Sequence, residues 1–410
     1  MLTTAAAVVN IIHRGYVLIY KLTYKAMYSD APTIGFLGHL VYSDNYMQRL
    51  TLIAITLVFA ASPMLTYAAT PTPAKLVYTG WIPYWAKASG TPDAIAHISV
   101  FRSLSPFSYE VEADGTIGDS MKLAAAPWPD LIAEAAQKKV KIIPSILWTD
   151  GDAILATLSA TSSRMAHEDD IVGIVVRNNF SGIDIDYEDK RLSTKYYFSA
   201  FLKELSIKLT AKNKDLVCTI EPRTPISSLY RIPPKDIEHV NDYAVINKYC
   251  DEVRIMTYDQ TNVDLKLNDT KGTRELYAPV ADTDWVKKVI VEAAKTISKR
   301  KIMLGVATYG YVWQVDTSTA TTTFSKVRAI SDPDARALAL ANGVNLGDSH
   351  NSAGERSFNY KKNGNLYYVS WSDANSVADK VKLAKSLRIK GVAIFKIDGK
   401  EDPLIWNVLK

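Results

Sequence analysis

Eight short apolar, β-branched runs separated by longer amphipathic stretches constrain the fold of this chain most strongly. The runs lie at residues 76–83, 95–101, 140–147, 182–187, 216–220, 252–258, 301–307 and 391–397. The amphipathic stretches include residues 128–139, 195–209, 284–299 and 376–387. Because helices that connect parallel strands cover both faces of a sheet, such alternation is typical of α/β proteins. Eight units of this kind predict an α/β fold, the (β/α)8 TIM barrel, over residues 76–410.

The chain is longer than this barrel requires, since a barrel of this type typically needs about 250 residues. The alternation breaks between residues 314 and 370, where Thr, Gly and Asn become frequent and residues 365–371 form an isolated strand-like run. We therefore predict a small α+β insertion at 314–370, between strands seven and eight.

Residues 47–68 have the pattern of a secretory signal peptide. Arg49 provides a basic start, residues 50–65 are apolar, and small residues follow near Ala68. Cleavage near Ala68 or Ala69 would leave a short linker, 69–75, before the barrel. The alternative is an uncleaved anchor, but the apolar run is shorter than the roughly 20 residues of a spanning helix.

A signal peptide should begin at the start of a chain, yet residues 1–46 precede this one. We therefore regard 1–46 as an upstream leader of doubtful reality and Met47 as an alternative initiator. The expected product is secreted or associated with the cell envelope, with no stable membrane span after cleavage.

Charge and cysteine content narrow the classes of partner. The formal net charge is only +5 and no basic run stands out, so we expect no nucleic-acid partner. Export would permit a disulfide between Cys218 and Cys250, and two buried thiols are the alternative. No two of the six histidines have a metal-binding spacing, so we predict no metal and no cofactor. We expect a monomer.

Three carboxylic acids alternate along the fourth predicted strand, at Asp184, Asp186 and Glu188. Side chains in a strand alternate between its two faces, so these three acids point one way, into the barrel. Burial and like charge both disfavour ionisation, so this ladder is expected to hold a proton that general-acid catalysis can use. Glu188 comes last, nearest the C-terminal mouth where active sites of such barrels lie. A solvated acidic strand end or a calcium site is the alternative.

These residues resemble the signature of glycoside hydrolase family 18, Asp-Gly-x-Asp-x-Asp-x-Glu on the fourth barrel strand. A second family motif, Met-x-Tyr-Asp at the end of strand six, matches Met256-Thr257-Tyr258-Asp259, and the run from Leu304 to Tyr311 is similar to strand seven. The end of the insertion, from Phe358-Asn359-Tyr360 to Trp371-Ser372-Asp373, is similar to bacterial members that act on spore or cell-wall peptidoglycan.

The chain departs from the family pattern at three places. Ser181 replaces the first Asp of the signature, and Phe395 ends strand eight where a Trp usually forms the floor of the sugar site. Strand three, which includes Ser145, lacks the paired glycines of the family. The smaller ring of Phe395 implies altered sugar preference or weaker binding.

The resemblance implies a retaining mechanism in which the substrate's own N-acetyl oxygen attacks the anomeric carbon. In that scheme Glu188 is the proton donor, Asp186 accepts the acetamido N–H, and Asp184 tunes Asp186. Tyr258 would donate to the acetamido carbonyl and Asp259 would bind nearby polar groups. The alternative for this pair is a strand-end aromatic residue followed by a helix-capping acid.

Other residues at the predicted strand ends are candidates for sugar binding. Aromatic rings offer flat apolar area to pyranose rings, and we favour Trp81, Phe395 and Tyr309, with ordinary core packing as the alternative. Met256 shares the face of Tyr258, although a methionine at such a position is more often a core residue than a ligand contact. Glu221 and Arg223, after strand five, could provide hydrogen bonds. These candidates, the catalytic acids included, are Glu188, Asp186, Asp184, Tyr258, Asp259, Trp81, Phe395, Met256, Glu221, Arg223 and Tyr309.

The predicted function is hydrolysis of glycans that contain β-linked N-acetylglucosamine, either chitin and its oligosaccharides or peptidoglycan. One alternative is a lectin that binds such glycans on the same barrel without cleaving them. Such lectins typically lack the acid that Glu188 provides. A second alternative is an enzyme that cleaves within N-linked glycans.

Overall fold

A computed structural model describes residues 75–112, 114–318, 321–348 and 350–410. The predicted leader, the signal peptide and all but the last residue of the predicted linker lie outside the described residues. Within the described ranges, no helix is both long and apolar enough to cross a membrane.

The strands and helices of the described chain follow one another largely in alternation. The strands are β1 (Val77–Pro83), β2 (Ser103–Val111), β3 (Ile117–Asp119), β4 (Lys141–Ile142), β5 (Ser145–Trp148), β6 (Gly182–Tyr187), β7 (Asp215–Ile220), β8 (Glu252–Ile255), β9 (Ile302–Ala307), β10 (Tyr309–Asp316), β11 (Thr323–Ser331), β12 (Arg356–Lys362), β13 (Asn365–Trp371) and β14 (Gly391–Phe395). The α-helices are α1 (Lys87–Ala96), α2 (Trp128–Lys138), α3 (Gly151–Ser159), α4 (Thr161–Arg177), α5 (Lys195–Thr210), α6 (Ile226–Leu229), α7 (Tyr243–Tyr249), α8 (Leu265–Lys271), α9 (Thr283–Ala293), α10 (Asp332–Ala341), α11 (Ala374–Leu387) and α12 (Ile405–Val408).

Eight parallel strands close into a barrel, which confirms the predicted fold. Their order is β1-β14-β9-β8-β7-β6-β5-β2, and β2 pairs with β1 to complete the circle. The short strands β3 and β4 both pair with β2. Since all eight strands run in the same direction, their C-terminal ends meet at one mouth.

Helix α9 illustrates why the outer layer forms. Its N-cap, Asp282, accepts a hydrogen bond from the amide of Asp284 at 2.8 Å, satisfying a donor that the helix leaves unpaired. Its buried residues recur at helical spacing and face the barrel, whereas the positions between them are more exposed. The buried set is Trp285, Val286, Val289, Ile290 and Ala293.

The predicted second strand, 95–101, is wrong. Those residues form the end of α1 and a 3-10 turn at Ile98–Val100, and the barrel strand is β2 instead. Ile98 is apolar because it packs in the core outside the barrel, whereas β2 carries small polar side chains such as Ser103 and Ser105 into the barrel interior. Because of these serines, β2 lacks the apolar pattern by which the other buried strands were predicted.

The insertion between β9 and β14 contains a four-stranded antiparallel sheet of order β11-β10-β13-β12, with α10 between its strands. It starts earlier than the predicted range, at Tyr309, and ends one residue later, at Trp371. Gly310 pairs with Trp371, and a Cβ at Gly310 would collide with the carbonyl oxygen of Ser370. The sheet has a small core of its own, made of Val312, Ile330, Ala335, Ala339, Phe358, Val369 and Trp371.

Cys218 on β7 and Cys250 after α7 form a disulfide, with their Cα atoms 6.0 Å apart. The sequence allowed either a disulfide or two buried thiols, and the structure contains the disulfide. Both residues are buried, so the bond links the barrel wall to the helix layer from inside the core.

Reduction of this disulfide is expected to lower the free energy of unfolding by about 3 kcal/mol, because the bond closes a long loop in the unfolded chain. The two cysteines are 32 residues apart in sequence. Urea denaturation with and without dithiothreitol measures the difference, and the Cys218→Ala/Cys250→Ala variant is the control that the reductant should not affect. Equal stability of the native protein in both buffers would contradict the prediction.

Candidate active site

The predicted acids lie together at the C-terminal half of β6. Asp184 and Asp186 are inside the barrel, with 0% and 4% of their surfaces exposed, and Glu188, just beyond the strand, is half-buried. The amide of Glu188 donates to the carbonyl oxygen of Trp148 at 2.8 Å, which continues the pairing of β6 with β5 past the strand end. Glu188 is therefore held at the mouth of the barrel.

Asp184 is the most firmly held member of the ladder. It accepts hydrogen bonds from the indole of Trp81 at 2.9 Å and from the hydroxyls of Ser145 and Thr219, each at 2.7 Å. A terminal nitrogen of Arg254 is a fourth donor, at 3.2 Å. Four donors, one of them cationic, stabilise the negative charge of Asp184 in a place that water does not reach.

Arg254 on β8 is the counter-charge inside the barrel. Its side chain is fully buried, and its Nε donates to Glu252 at 2.9 Å while the guanidinium also contacts Asp184. Lys390 binds the other oxygen of Glu252 at 2.8 Å. Positive and negative side chains therefore alternate from the partly exposed Lys390, through Glu252 and Arg254, to Asp184 in the ladder.

Asp186 contrasts with Asp184. Within the described ranges, its Oδ1 atom is buried without a hydrogen-bond partner. Burial raises the pKa of Asp186 well above its usual range, and the charges of Glu188 and Asp184 raise the pKa further. The ionised form of Asp186 is therefore disfavoured unless a hydrogen-bond donor reaches Oδ1.

Glu188 titrates near neutrality. Burial raises its pKa to about 7, and the charges of Glu221 and Asp189 act in the same direction while the ammonium of Lys190 opposes them. A carboxyl group with this pKa keeps a proton through much of the physiological range, as a general acid must.

Lys190 is a site residue that the sequence reasoning did not identify. Its side chain is completely buried, and its ammonium donates to the carbonyl oxygen of Tyr187 and to Glu221 at 3.3 Å. Glu221 also accepts a bond from Asn241 at 2.7 Å. A lysine two residues after a buried acid ladder was the available signal, because a cation there balances part of the negative charge.

Tyr258 and Asp259 follow β8, which only β7 separates from the strand that leads to Glu188. Burial raises the pKa of Tyr258, with the charges of Asp186 and Asp259 contributing, so its phenol remains a hydrogen-bond donor. Asp259 has a left-handed backbone, with φ at +56°, and accepts bonds from Tyr309 at 2.9 Å and from Tyr311 at 2.7 Å. Two hydroxyls from β10 therefore fix the side chain of Asp259.

Four aromatic rings form a row from the centre of the mouth to its rim. Tyr258 stacks on Phe395 with ring centroids 5.4 Å apart, Phe395 lies 6.4 Å from Phe107, and Phe107 lies 6.0 Å from Trp85. Trp85 is 55% exposed. Trp81, in contrast, is 1% exposed and binds Asp184 from within the barrel, so the exposed ring after β1 is that of Trp85.

The remaining candidates occupy three different environments. Met256 is buried in the main core, and its amide extends the pairing of β8 to Ile220 at 3.0 Å. Glu221 and Arg223 line a cavity at the end of β7. Ser181 precedes β6, at the end of the strand opposite Glu188, so the missing signature Asp would lie far from the mouth. In the described parts of the chain, no group of three or more His, Cys, Asp or Glu side chains is placed to hold a metal ion.

A β/α barrel whose C-terminal mouth holds a proton-bearing glutamic acid beside buried aspartates defines a carboxylate-dependent glycosidase. The chain belongs to the glycosyl hydrolases family 18, whose family model matches residues 83–400. Among curated proteins it is 25% identical over 271 residues to the uncharacterized glycosylase YvbX of Bacillus subtilis strain 168, covering 64% of this chain and 70% of that protein.

Solved structures show the same fold. The spore cortex-lytic enzyme SleL of Bacillus megaterium QM B1551 superposes with a TM-score of 0.65 at 21% identity, over 83% of this chain and 74% of that one. A chitinase from Chromobacterium violaceum ATCC 12472 gives a TM-score of 0.63 at 21% identity, over 82% and 98% of the two chains.

The activity of this glycosidase is expected to fall as pH rises through 7. Its acid, Glu188, donates only while protonated, and burial raises the pKa of Glu188 to about 7. The alkaline limb of kcat/KM should therefore decline tenfold per pH unit well above that value. Initial rates between pH 5 and 9 measure the limb, and a rate that stays constant up to pH 9 would contradict the assignment of the acid.

Proposed function

We propose that the protein is a retaining hydrolase of glycans containing β-linked N-acetylglucosamine, and that the substrate's own acetamido group provides the nucleophile. The observation that carries the proposal is the contrast within the ladder. Among the described residues Asp184 has four donors, whereas Asp186 has a buried oxygen without a partner, beside a Glu188 whose pKa is raised to about 7. An acetamido N–H bound at this oxygen would satisfy it.

In the first half of the reaction, Glu188 gives its proton to the glycosidic oxygen and the bond from that oxygen to the anomeric carbon breaks. The acetamido carbonyl oxygen attacks the anomeric carbon from the opposite side and forms a cyclic oxazolinium ion. Asp186 accepts the acetamido N–H, and Tyr258 donates to the carbonyl oxygen and aligns it. Correct positioning of an intramolecular nucleophile lowers a barrier by several kcal/mol.

In the second half, Glu188, now ionised, takes a proton from water. The hydroxide formed attacks the anomeric carbon, the bond to the acetamido oxygen breaks, and the N-acetyl group is restored. Two displacements at one carbon leave its configuration unchanged. The proton returned to Glu188 prepares the enzyme for the next cycle.

Chitin, chitooligosaccharides and peptidoglycan all fit this chemistry, since each has an N-acetyl group beside a cleavable bond. The aromatic row from Tyr258 to Trp85 supports a groove for several pyranose rings. The spore cortex-lytic enzyme among the similar structures supports peptidoglycan, and the chitinase supports chitin.

We also propose that the protein acts outside the cytoplasm, in secreted form or at the cell envelope. The signal-peptide pattern of residues 47–68 supports export. The disulfide between Cys218 and Cys250 fits an oxidising compartment.

The test compares N-acetylglucosamine oligomers with the same oligomers after removal of their acetyl groups. We expect cleavage of the acetylated oligomers alone, and proton NMR should show the β-anomer as the first product. Glu188→Gln is the inactive control. Release of the α-anomer, or equal cleavage of the deacetylated oligomers, would overturn the mechanism, and binding without cleavage would favour the lectin.

A further inference from the structure

A cavity of about 330 Å³ opens at the C-terminal end of β7, next to the catalytic acids. Glu221 forms one side of it, and the charge of Glu221 is the largest electrostatic contribution to the raised pKa of Glu188. Glu221 therefore links the cavity to the catalytic acids, through its charge and through its bond to Lys190. Arg223, Asn241 and Tyr243 also line the cavity.

Arg223 provides a cation in this cavity. One terminal nitrogen of its guanidinium donates to the carbonyl oxygen of Asn241 at 2.7 Å, and the guanidinium lies 3.7 Å from the centre of the Tyr243 ring. An arginine has five N–H donors in a rigid plane, and within the described ranges only this one bond uses them. The stacking on Tyr243 fixes the plane and leaves the other donors available.

Arg223 also lacks a carboxylate partner of its own within salt-bridge distance in the part of the chain that the structure describes. The nearest acids are engaged elsewhere. The side chain of Asp242 accepts from the amides of Ala244 and Val245 at 2.9 and 3.2 Å, and Glu292 binds Lys295 at 2.6 Å. The guanidinium of Arg223 is half-buried and, within the described ranges, keeps donors that no protein group accepts, so it can pair with an anion from outside.

Asn241 connects this cation to the catalytic centre. Its side-chain amide donates to Glu221 at 2.7 Å, while its backbone oxygen accepts from Arg223. Glu221 in turn binds the buried ammonium of Lys190. Lys190 thus partly neutralises the negative charge of Glu221 on the side of the catalytic acids. Arg223 provides the positive charge at the other end of the cavity.

We infer that this cavity binds a carboxylate carried by the glycan beside the scissile bond, with Arg223 as its partner, and that it selects acidic glycans over neutral ones. The inference rests on the proposed function. Planar guanidinium and carboxylate groups pair through two parallel hydrogen bonds, which suits the free donors of Arg223. Chitin contains only hydroxyl and acetamido groups and would leave this cation unpaired.

The carboxylate has two sources in peptidoglycan. One is the lactyl ether on alternate sugars, which is free when the peptide has been removed. The other is the attached peptide, whose acidic residues carry carboxylates of their own. The chemistry at Arg223 is the same for both, and the substrates of the test separate them.

Binding is measured by calorimetry on the Glu188→Gln protein, so that no ligand is consumed. Three ligands are compared: N-acetylglucosamine hexamer, peptidoglycan strands without peptides, and peptidoglycan fragments that retain their peptides. The same titrations are repeated with Arg223→Gln added, and with Arg223→Lys added, which keeps the charge but loses the paired geometry.

Arg223→Gln is expected to weaken binding of the acidic ligands, relative to the neutral hexamer, by at least tenfold, and Arg223→Lys by less. A loss limited to the peptide-free strands or to the peptide-bearing fragments identifies the source of the carboxylate. Arg231→Gln is the matched control, because Arg231 is an exposed arginine just beyond α6, bound to Asp269, and should not change the ratio.

An equal loss for all three ligands, or no loss for any, would overturn the assignment of the cavity. The outcome for the proposed function is separate, because it depends on product release by the native protein. Selective binding without cleavage would reject the hydrolase and keep the acidic-glycan site. Cleavage with an unchanged binding ratio would support the hydrolase and reject the acidic-glycan site.

Discussion

Replacement of Glu188 by Gln is expected to lower kcat by about a hundred- to ten-thousandfold, because a positioned general acid typically contributes that much to a rate. Gln has nearly the same shape but gives no proton to the glycosidic oxygen. KM should change little, since the acetamido contacts of Asp186 and Tyr258 remain. Steady-state rates on N-acetylglucosamine oligomers measure both constants.

Stability distinguishes this loss from simple unfolding. Burial raises the pKa of Glu188 to about 7 in the folded protein, above the roughly 4.5 of an unfolded chain. Between these values the folded state retains a proton that the unfolded state has lost, so stability falls as pH rises from about 4.5 to 7. Glu188→Gln removes this penalty, and its melting temperature at pH 8 should equal or exceed that of the native protein. A lower melting temperature would indicate damage to the fold.

Replacement of Arg254 by Met is expected to reduce the free energy of unfolding by about 3–5 kcal/mol, because it leaves the buried Asp184 without a cation and Glu252 with Lys390 alone. Arg254 is 0% exposed and contacts both Asp184 and Glu252, neither of which reaches bulk water. Met fills a similar volume, so the loss reports the missing charge and its hydrogen bonds. Urea denaturation followed by circular dichroism measures it.

Arg231→Met is the matched control for this prediction. Arg231 also binds a carboxylate, that of Asp269, but its side chain is 69% exposed. Water screens exposed ion pairs, so the control should lose much less stability than Arg254→Met. An equal loss of stability in the two variants would show that the buried contacts of Arg254 with Asp184 and Glu252 do not stabilise the fold more than an exposed ion pair does.

Most of the barrel could be predicted from the sequence because seven of its strands are apolar runs with few exceptions. The second strand could not, because β2 places serines inside the barrel to bind Arg254, and the apolar run before it packs outside the barrel. The boundaries of the insertion were shifted for a different reason. β10 begins almost directly after β9, with only Thr308 between them, so no change of composition marks the border.

The positions of the three acids followed from alternation along a single strand, but their partners did not. Ser145, Thr219 and Arg254 come from three other strands, and only the barrel's register brings them to Asp184. Arg254 did carry a signal that was not used. A charged residue within an apolar barrel strand needs an opposite charge nearby, and the acid ladder is the obvious source.

The hydroxyls of Tyr309 and Tyr311 limit the changes of length that the chain can accept at the start of β10. They lie on one face of β10 at alternate positions, and both hold Asp259. A single residue inserted before Tyr309 would turn both hydroxyls to the opposite face of the sheet and release Asp259. The tips of the sheet, beyond Trp313, carry no such restriction. Insertions and deletions are therefore expected to be tolerated in the loops beyond Trp313 but not at the junction before Tyr309, whose length fixes the contacts of Asp259.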